Sequence, residues 1–419
     1  MKMDNSPPRG TRDLLPPSVA VRDHVFATIA EVYHRFGYQR IETPALEDIR
    51  RLSGGQGGEN EKLIFQVLRR GLSGSLEADT AVTDLVDLGL RFDLTVPLTR
   101  FYGNNHAALP LPFRSFQFGP VWRAERPQKG RYRQFVQCDI DLIGEPSVLA
   151  EAELIEATTE ALAALGLSGI AVRLSDRRFL SALAADSGLT EVDRRAFFTV
   201  LDKLDKIGWD GVRKELAGLP AQPVDSALER VAALVGLAAD KVADTLADTV
   251  PTLDEQVVAE LATTVGCLDQ VAGRRELRWE FDPTLVRGMG YYTGQIFEIG
   301  HPASTSSVAG GGRYDQLIGR SLGREVPACG FSIGFERIVD LLDSSPSRQS
   351  VAVLFESDVP LARALDVARG LRADDRTAVV LPRSGKLGAQ LGRLEAAGHT
   401  SLVYLRAGDE SVEERPLGR

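Results

Sequence analysis

The residues from 113 to 144 alternate cations with hydrogen-bond acceptors along what their pattern predicts to be a single β-hairpin. Arg123 and Glu125 precede a basic, glycine-containing turn. The strand after the turn carries three polar side chains at alternate positions, Gln137, Asp139 and Asp141. Fixed cations hold phosphate groups, and carboxylates hold an ammonium group. The layout therefore suits a polyphosphate beside a small zwitterion, and it indicates a nucleotide-using enzyme that activates an amino acid.

Joining an amino acid to ATP makes few demands on acid–base chemistry. The attacking carboxylate is already ionised at neutral pH, so a protein nucleophile is unnecessary and a general base is hardly needed. Charge that builds on the phosphoryl group calls for fixed cations and Mg²⁺. A single arginine is more often a solvated surface residue, but four of them lie beside glycine-rich or aromatic segments: Arg123, Arg131, Arg287 and Arg337. Among five histidines only His301 lies near a motif, so histidine-based or zinc chemistry has little support.

Three further segments could line a ligand site. In residues 285–298 two glycines precede a tyrosine pair and a strand, a pattern that a tight turn before a core strand would also produce. Residues 309–315 contain three consecutive glycines, which allow close approach of a ligand or of another strand. Residues 328–338 predict a strand that leads into a helix with Arg337 near its start, a favourable place for an anion.

The elements that must position these residues are mixed. Residues 21–36 have apolar side chains at helical spacing, and 38–44 form a strand ended by proline. The glycine-rich residues 53–58 predict a mobile loop, and a long helix is predicted from 141 to 165. Between 177 and 271 the pattern is helical without strands, and strands resume at Leu277.

The last part of the chain follows a polar, serine-rich stretch at 342–350, which indicates a domain boundary. After it, three strand patterns alternate with two helix patterns, and this alternation predicts a small, mostly parallel sheet.

Bulk properties favour an ordinary globular enzyme. The 419 residues are long for a single core and suggest about two or three domains. The net charge of −9 argues against a generally basic nucleic-acid-binding surface but not against a local basic patch. No apolar run approaches the about 20 residues of a membrane span, and the first residues lack an apolar signal core. Three scattered cysteines suggest neither disulfides nor a metal site, so we expect a cytoplasmic protein.

Taken together, these segments resemble class II aminoacyl-tRNA synthetases, and specifically the histidyl-tRNA synthetase family. Residues 8–13 are similar to its N-terminal signature, 40–47 to motif 1, 121–137 to motif 2 and 331–338 to motif 3. Residues 286–294 and 310–315 are similar to segments that distinguish the histidine enzyme from other class II members. The helical block, with its sequence LDKLDKIGW, is similar to the eukaryotic-type branch.

The resemblance implies an α+β class II synthetase catalytic core, an antiparallel sheet flanked by helices, with a helical insertion and a small α/β C-terminal domain. The implied domains are a catalytic core at 1–176, the insertion at 177–271, the core continued at 272–343 and a shortened anticodon-binding-like α/β domain at 351–419. Pro44 occupies the motif 1 position that lies at the homodimer interface in the family.

The resemblance also implies roles for individual residues. Arg123 and Arg287 are the implied catalytic residues, since Arg123 would hold the α-phosphate and the substrate carboxylate and Arg287 the transition-state charge. The implied ATP-binding residues are Arg123, Glu125, Arg131, Phe135 and Arg337. The implied histidine-binding residues are Asp93, Thr95, Gln137, Asp141, Arg287, Tyr291, Tyr292 and Tyr314. The implied ligands are histidine, ATP with Mg²⁺, and tRNA(His), with no metal site of the protein itself and no membrane.

The sequence departs from the family pattern at two places. Gly290 stands where the family often has aspartate, which affects the detail of the histidine pocket. Residues 407–419 are polar and acidic, where the family's anticodon module usually continues with another strand region and a closing helix. A paralogue with a shortened module could transfer activated histidine to a non-tRNA acceptor in biosynthesis. A third alternative is a non-catalytic regulatory subunit of histidine biosynthesis, although such proteins typically lose the ATP-gripping residues.

Overall fold

The structure is a computed structural model, and it describes residues 4–54, 60–72, 80–128, 130–274, 277–286, 292–342, 350–409 and 411–417. Arg287, Gly290, Tyr291 and most of the glycine-rich loop at 53–58 lie outside the described residues. The chain divides into two compact units, Met1–Asp343 and Ser344–Arg419. Within the described residues, every helix is too short or too polar to cross a lipid bilayer.

The strands of the described residues are β1 (Gln39–Ile41), β2 (Leu46–Asp48), β3 (Phe65–Leu68), β4 (Val86–Leu90), β5 (Phe113–Trp122), β6 (Gln134–Ile143), β7 (Ala171–Asp176), β8 (Arg278–Phe281), β9 (Gln295–Gly300), β10 (Ala309–Arg313), β11 (Ala328–Ile333), β12 (Ser350–Phe355), β13 (Thr377–Pro382), β14 (Ser401–Leu405) and β15 (Glu414–Pro416).

The α-helices are α1 (Pro16–Arg35), α2 (Ile49–Ser53), α3 (Val82–Leu85), α4 (Thr95–Asn105), α5 (Leu149–Ala164), α6 (Arg177–Asp186), α7 (Glu191–Leu201), α8 (Leu204–Glu215), α9 (Ala221–Leu234), α10 (Val242–Thr249), α11 (Glu255–Arg274), α12 (Asp315–Leu322), α13 (Phe335–Leu341), α14 (Leu361–Ala373) and α15 (Leu387–Ala396).

The first unit is built on an eight-stranded sheet in the order β1-β5-β6-β11-β10-β9-β7-β8. Neighbours from β5 to β7 are antiparallel, and only the edge pairs β1/β5 and β7/β8 are parallel. The predicted hairpin is confirmed, since β5 and β6 pair antiparallel along their whole length. Helices α1 and α5 pack together, and their buried side chains share one core with the sheet. The predicted antiparallel core flanked by helices is therefore confirmed.

The start of the long helix was predicted wrongly. Asp141 lies in β6, where the ladder places it opposite Ser115 on one side and Gly330 on the other. The helix α5 begins only at Leu149. Between strand and helix the chain turns at Gly144, whose φ of 91° favours glycine. Pairing with two neighbouring strands thus overrides the local helical pattern of this segment.

Residues 177–274 form the six helices α6 to α11 without a strand, as the pattern predicted. Their buried side chains, such as Phe197, Leu228 and Leu261, belong to the same apolar core as the sheet. The assignment of this block as a separate domain remains a prediction, because Met1–Asp343 is one compact unit.

The second unit has a four-stranded sheet in the order β13-β12-β14-β15. The first three strands pair in parallel, which confirms the predicted alternation, and β15 pairs antiparallel with β14. Alternate residues of β12 face α14 and α15 on opposite sides of this sheet. Strand β15 lies in the polar tail at 407–419, where the sequence pattern had not predicted a strand.

Candidate active site

The site is built on one face of the main sheet, and β6 shows why. Its buried apolar side chains, Cys138, Ile140 and Leu142, belong to the core that also contains α1 and α5. Because successive side chains of a strand point to opposite faces, the intervening side chains point away from that core. These are Gln137, Asp139 and Asp141, and all three line a cavity on the other face.

Polar residues continue across this face from strand to strand. Ladder pairing places five residues in one row, in the order Gln117, Asp139, Ser332, Gly310 and Glu298. Gly310, the fourth residue of the row, has no side chain and so leaves room above the sheet, and it borders both cavities described below.

The other glycines of this region allow close approach. A Cβ on Gly311 would lie 2.0 Å from the carbonyl oxygen of Gly330 on the neighbouring strand. A Cβ on Gly330 would lie 2.2 Å from Asp141 Oδ1 and 3.1 Å from the ring of Tyr314. Of the two uses that the sequence left open for the glycine triplet, Gly311 shows the close strand contact, and approach of a ligand at Gly310 stays a prediction.

An outer cavity of about 310 Å³ opens on this face of the sheet. All five predicted ATP-binding residues line it, namely Arg123, Glu125, Arg131, Phe135 and Arg337. They come from the end of β5, the β5–β6 connection, β6 and α13. The structure thus brings together residues that lie up to 214 positions apart in the chain, although their roles remain predictions.

An inner cavity of about 220 Å³ adjoins the outer one. Six of the predicted histidine-binding residues line it, namely Asp93, Thr95, Gln137, Asp141, Tyr292 and Tyr314. The remaining two, Arg287 and Tyr291, lie outside the described residues. The two cavities share Arg123, Gln137, Tyr292, Gly310 and Ser332 in their linings.

Arg123 lies where the two cavities meet, and its guanidinium group is held in place. Its Nε donates to the carbonyl oxygen of Phe92 at 3.1 Å. Its guanidinium carbon lies 5.0 Å from the centre of the Phe135 ring, within the range of a cation–π contact. The cation is therefore positioned before any ligand binds, which lowers the entropy lost on binding.

Two of the cations in the outer cavity have partners within the protein. Arg131 forms an ion pair with Glu125 at 3.2 Å, and the Arg131 side chain is 61% exposed. Such an exposed pair contributes little stability, so it can open at low cost when a ligand binds. Arg337 donates from Nη1 to the carbonyl oxygen of Ser307.

The inner cavity is dominated by carboxyl groups. Burial raises the pKa of Asp93, and burial raises the pKa of Asp141 to about 7. Burial also raises the pKa of Asp139 well above its ordinary range, and the charges of Asp141 and Asp93 add to the effect. Like charges in a buried site disfavour ionisation, so the cavity is suited to a ligand that brings positive charge and hydrogen-bond donors.

Three buried acceptor oxygens in this cavity have no protein hydrogen-bond partner within the described residues. They are Gln137 Oε1, Asp139 Oδ1 and Asp141 Oδ2. Buried polar atoms are nearly always paired, so these oxygens are available to accept hydrogen bonds from a bound ligand. On the far side of Asp141, Oδ1 accepts a hydrogen bond from the Tyr314 hydroxyl.

Two residues that line the site, Ser332 and Glu336, were not expected from the sequence. Ser332 lines the inner cavity together with Asp139, which the sequence placed on the same strand face as Gln137 and Asp141 but to which it assigned no specific role. Glu336 lines the outer cavity, and its carboxylate is held by Arg12, Arg22 and the backbone N–H of Val136. No sequence spacing connects Arg12 with Glu336, which lies 324 residues later.

Arg91 is a further residue that sequence reasoning did not single out. Its guanidinium donates to the carbonyl oxygens of Thr43 at 2.6 Å and of Pro120 at 3.0 Å. It thereby joins the segment after β1 to the strand β5 that leads into Arg123. Burial lowers the pKa of Arg91, which is consistent with a cation satisfied mainly by neutral carbonyl groups.

The described residues contain no group of three or more histidine, cysteine, aspartate or glutamate side chains arranged to hold a metal ion.

The fold and the two cavities define a class II aminoacyl-tRNA synthetase. The chain resembles the crystal structure of histidyl-tRNA synthetase from Nostoc sp. PCC 7120, with a TM-score of 0.83 and 26% identity over 99% of this chain and 95% of that one. It is also 47% identical over 426 residues to the histidine--tRNA ligase of Leifsonia xyli, covering 97% of this chain and 96% of that protein. The family model for histidyl-tRNA synthetase matches residues 10–338. The chain belongs to the histidyl-tRNA synthetase family and is an amino-acid-adenylating ligase.

A more distant likeness is to a Bacillus halodurans structure described as an ATP phosphoribosyltransferase regulatory subunit/histidyl-tRNA synthetase. It has a TM-score of 0.79 and 22% identity, and covers 96% of this chain and 99% of that one. At that level of identity the likeness shows the fold alone.

Proposed function

We propose that the protein activates histidine with ATP to form histidyl-adenylate and transfers the histidyl group to the terminal ribose of tRNA(His). The observation that carries this proposal is the pair of adjoining cavities that meet at Arg123. The outer cavity offers cations and an aromatic ring, and the inner one offers carboxylates. ATP in the first and histidine in the second would bring the α-phosphorus and the substrate carboxylate together at the shared wall.

In the outer cavity, Phe135 stacks on the adenine ring and Glu125 accepts from the adenine amino group. Arg131 and Arg337 hold the outer phosphates and the nucleotide. Glu336 does not repel ATP, because its carboxylate is neutralised by Arg12 at 2.5 Å and Arg22 at 2.6 Å. Although burial opposes ionisation, these two arginines help to lower the pKa of Glu336 below its ordinary value.

In the inner cavity, Asp93 and Thr95 bind the α-ammonium group of histidine. Gln137, Asp141 and the tyrosines Tyr291, Tyr292 and Tyr314 frame the imidazole. Neutral imidazole has one donor and one acceptor nitrogen, so a carboxylate together with a hydroxyl can recognise both. An apolar amino acid of similar size would leave the buried oxygens of this cavity unpaired, and such a mismatch discriminates strongly.

The reaction step needs no protein nucleophile. A carboxylate oxygen of histidine forms a bond to the α-phosphorus, the bond from that phosphorus to the bridging oxygen breaks, and pyrophosphate leaves with the bonding electrons. Arg123 holds both anions and stabilises the charge on the α-phosphoryl group. We assign Arg287 the same role of stabilising the charge on the α-phosphoryl group. Mg²⁺ carried on the phosphates supplies further charge neutralisation.

The acceptor of the histidyl group separates this function from its alternatives. Transfer to tRNA is favoured by the similarity to the Leifsonia xyli ligase. The match covers 96% of that protein's length and so includes most of its C-terminal part. A non-tRNA acceptor is the first alternative. A non-catalytic regulatory subunit is disfavoured, because Arg123, Glu125, Arg131 and Arg337 are all present around one cavity.

We further propose a cytoplasmic homodimer that associates through the motif 1 region around Pro44. Assignment to the eukaryotic-type branch remains a prediction based on LDKLDKIGW, and the relatives named above are bacterial. Light scattering coupled to gel filtration would give the mass of the assembly, and a monomer at micromolar concentration would contradict the dimer.

The test of the function is ATP–pyrophosphate exchange that depends on histidine, measured together with the formation of histidyl-tRNA. We expect exchange without tRNA and charging with tRNA(His). Exchange without charging of tRNA would point to another acceptor. The absence of exchange in a folded protein would leave only a regulatory function.

A further inference from the structure

Asp139 occupies the middle of the ligand-facing side of β6. The ladder places it between Gln117 and Ser332, and the residue is only 4% exposed. It lines the inner cavity together with Asp93 and Asp141. None of the roles proposed above uses this carboxylate, although its burial is costly for a group without a charged partner.

The immediate contacts of Asp139 leave half of its carboxylate free for a ligand. Oδ2 accepts from Nε2 of Gln137 at 3.3 Å. Oδ1 is buried and has no hydrogen-bond partner within the described residues. An acceptor oxygen of this kind at a cavity wall indicates a donor group on the bound molecule.

The order of residues along β6 indicates which donor this is. Residues two positions apart on a strand lie about 6.6–6.8 Å from each other. Gln137 borders both cavities and, like Arg123, lies at their junction. Asp141 borders only the inner cavity, and it accepts a hydrogen bond from the Tyr314 hydroxyl. Histidine with its carboxylate at Arg123 and its imidazole at Asp141 places its α-ammonium group between them, at the level of Asp139.

We propose that Asp139 is a second substrate-binding carboxylate, which accepts a hydrogen bond from the α-ammonium group of histidine through Oδ1 and shares that cation with Asp93. The inference rests on the proposed function, since it takes histidine as the occupant of the inner cavity. It makes the site selective for a free amino group, because a ligand without one leaves two buried carboxyl groups without a countercharge.

The electrostatics of the empty cavity agree with this role. Burial, together with the charges of Asp141 and Asp93, raises the pKa of Asp139, whereas the Ser332 hydroxyl and the charge of Arg123 act in the opposite direction. An ammonium group supplies the positive charge that the cluster lacks, so its binding favours ionised Asp139 and releases a proton from the site.

The test compares three ligands on wild type and on Asp139→Asn, which removes the charge and keeps the size. L-Histidine and L-histidinol carry the ammonium group, and imidazolylpropionate lacks it. Dissociation constants come from calorimetry for the first two and from ligand-observed NMR titration for the third. We expect the substitution to weaken histidine and histidinol roughly 10- to 100-fold, as for a hydrogen bond to a charged group, and to change imidazolylpropionate by less than about 3-fold.

Two results would overturn the inference. Equal weakening of all three ligands would mean that Asp139 acts on the imidazole or only supports Gln137, and unchanged histidine binding would mean that it does not touch the substrate. A wild-type protein that binds neither histidine nor histidinol would instead reject the proposed function. If wild type binds no imidazolylpropionate, the deciding measurement is the exchange assay, in which a higher histidine KM at constant kcat is expected.

Controls separate binding from folding and from net charge. Asp87→Asn makes the same change in charge at an exposed position of β4, and it should bind all three ligands like wild type. Circular dichroism reports folding of each variant. If Asp139→Asn does not fold, Asp139→Ser takes its place in the same comparison.

Discussion

The hydroxyl of Tyr314 donates a hydrogen bond to Asp141 Oδ1 in the inner cavity, and glycine at position 330 makes room for this pair. The three residues come from β10–α12, β6 and β11, so the contact is a product of the sheet order. It fixes one carboxylate oxygen and leaves Oδ2 without a protein partner in the described residues. Oδ2 is thus available to accept a hydrogen bond from a ligand, as the proposed contact with the imidazole requires.

Gly330→Ala is expected to damage histidine binding without unfolding the protein. The new Cβ would lie 2.2 Å from Asp141 Oδ1 and would force this carboxylate away from Tyr314. We expect the histidine KM in the exchange assay to rise by roughly 10-fold or more, the cost of one hydrogen bond to a charged group, with little change in the ATP KM.

The matched control is Gly266→Ala in α11, where a Cβ would meet no atom within 4 Å. Alanine in a helix should leave activity unchanged and add up to about 1 kcal/mol of stability. Equal histidine KM values for the two variants would show that the close packing around Gly330 is unimportant for the site.

Asp141→Asn is expected to stabilise the ligand-free protein above pH 7. Burial raises the pKa of Asp141 from its ordinary range to about 7. The folded state therefore binds more protons than the unfolded state between about pH 4 and 7, and stability falls as pH rises through that window. Asparagine does not titrate, so the free energy of unfolding of the variant should exceed that of wild type by roughly 1–3 kcal/mol at pH 8. Urea unfolding at pH 5 and pH 8 measures this difference.

The same variant should bind histidine more weakly at pH 8, because an amide with its own N–H replaces the ionised acceptor. Stabilisation that is equal at pH 5 and pH 8 would contradict the raised pKa, since Asp141 would then be ionised at both values. Asp87→Asn, at an exposed position, serves as the control and should show no such pH dependence.

Glu336→Gln is expected to destabilise the first unit and weaken ATP binding. Glu336 forms ion pairs with Arg12 and Arg22 and accepts from the N–H of Val136, next to Phe135. The neutral amide weakens both ion pairs and the anchor of the Val136 N–H, so Phe135 loses part of its support in the lining of the outer cavity. We expect a loss of roughly 1–3 kcal/mol in the free energy of unfolding and a higher ATP KM.

Glu31→Gln is the matched control for that experiment. Glu31 is 77% exposed in its ion pair with Arg35 on α1, so its replacement should cost less than about 0.5 kcal/mol. Chemical denaturation of both variants gives the change in the free energy of unfolding. Equal changes would mean that the ion pairs of Glu336 contribute no more stability than a surface pair.

Arg131→Ala is expected to raise the ATP KM roughly 10-fold while the stability changes by less than about 0.5 kcal/mol. Its ion pair with Glu125 is exposed, so it contributes to ligand binding more than to folding. Arg126→Ala, a nearby exposed arginine outside the cavity lining, should keep the ATP KM of wild type. A wild-type ATP KM in Arg131→Ala would remove this residue from the phosphate site.

Much of the fold was accessible from the sequence because local patterns dictated it. The hairpin at 113–144, the helical block predicted at 177–271 and the alternating elements after 350 all followed from residue periodicity. Local patterning failed at the start of the long helix, which was predicted from Asp141 although pairing with two strands holds this residue in β6. Such pairing depends on partners distant in the chain, and no short window of sequence contains them.

By itself, the sequence determined which side chains could carry the chemistry: arginines for phosphate, and carboxyl groups at alternate positions for a zwitterion. The tertiary structure decided how they are divided between two cavities and which of them lack partners. It alone revealed Asp139 Oδ1 as a buried acceptor with no hydrogen-bond partner among the described residues, and Glu336 as a carboxylate neutralised by two arginines. The physical reason is that burial and pairing are properties of the assembled sheet, which joins β6 to β11 and places helix α13 beside them.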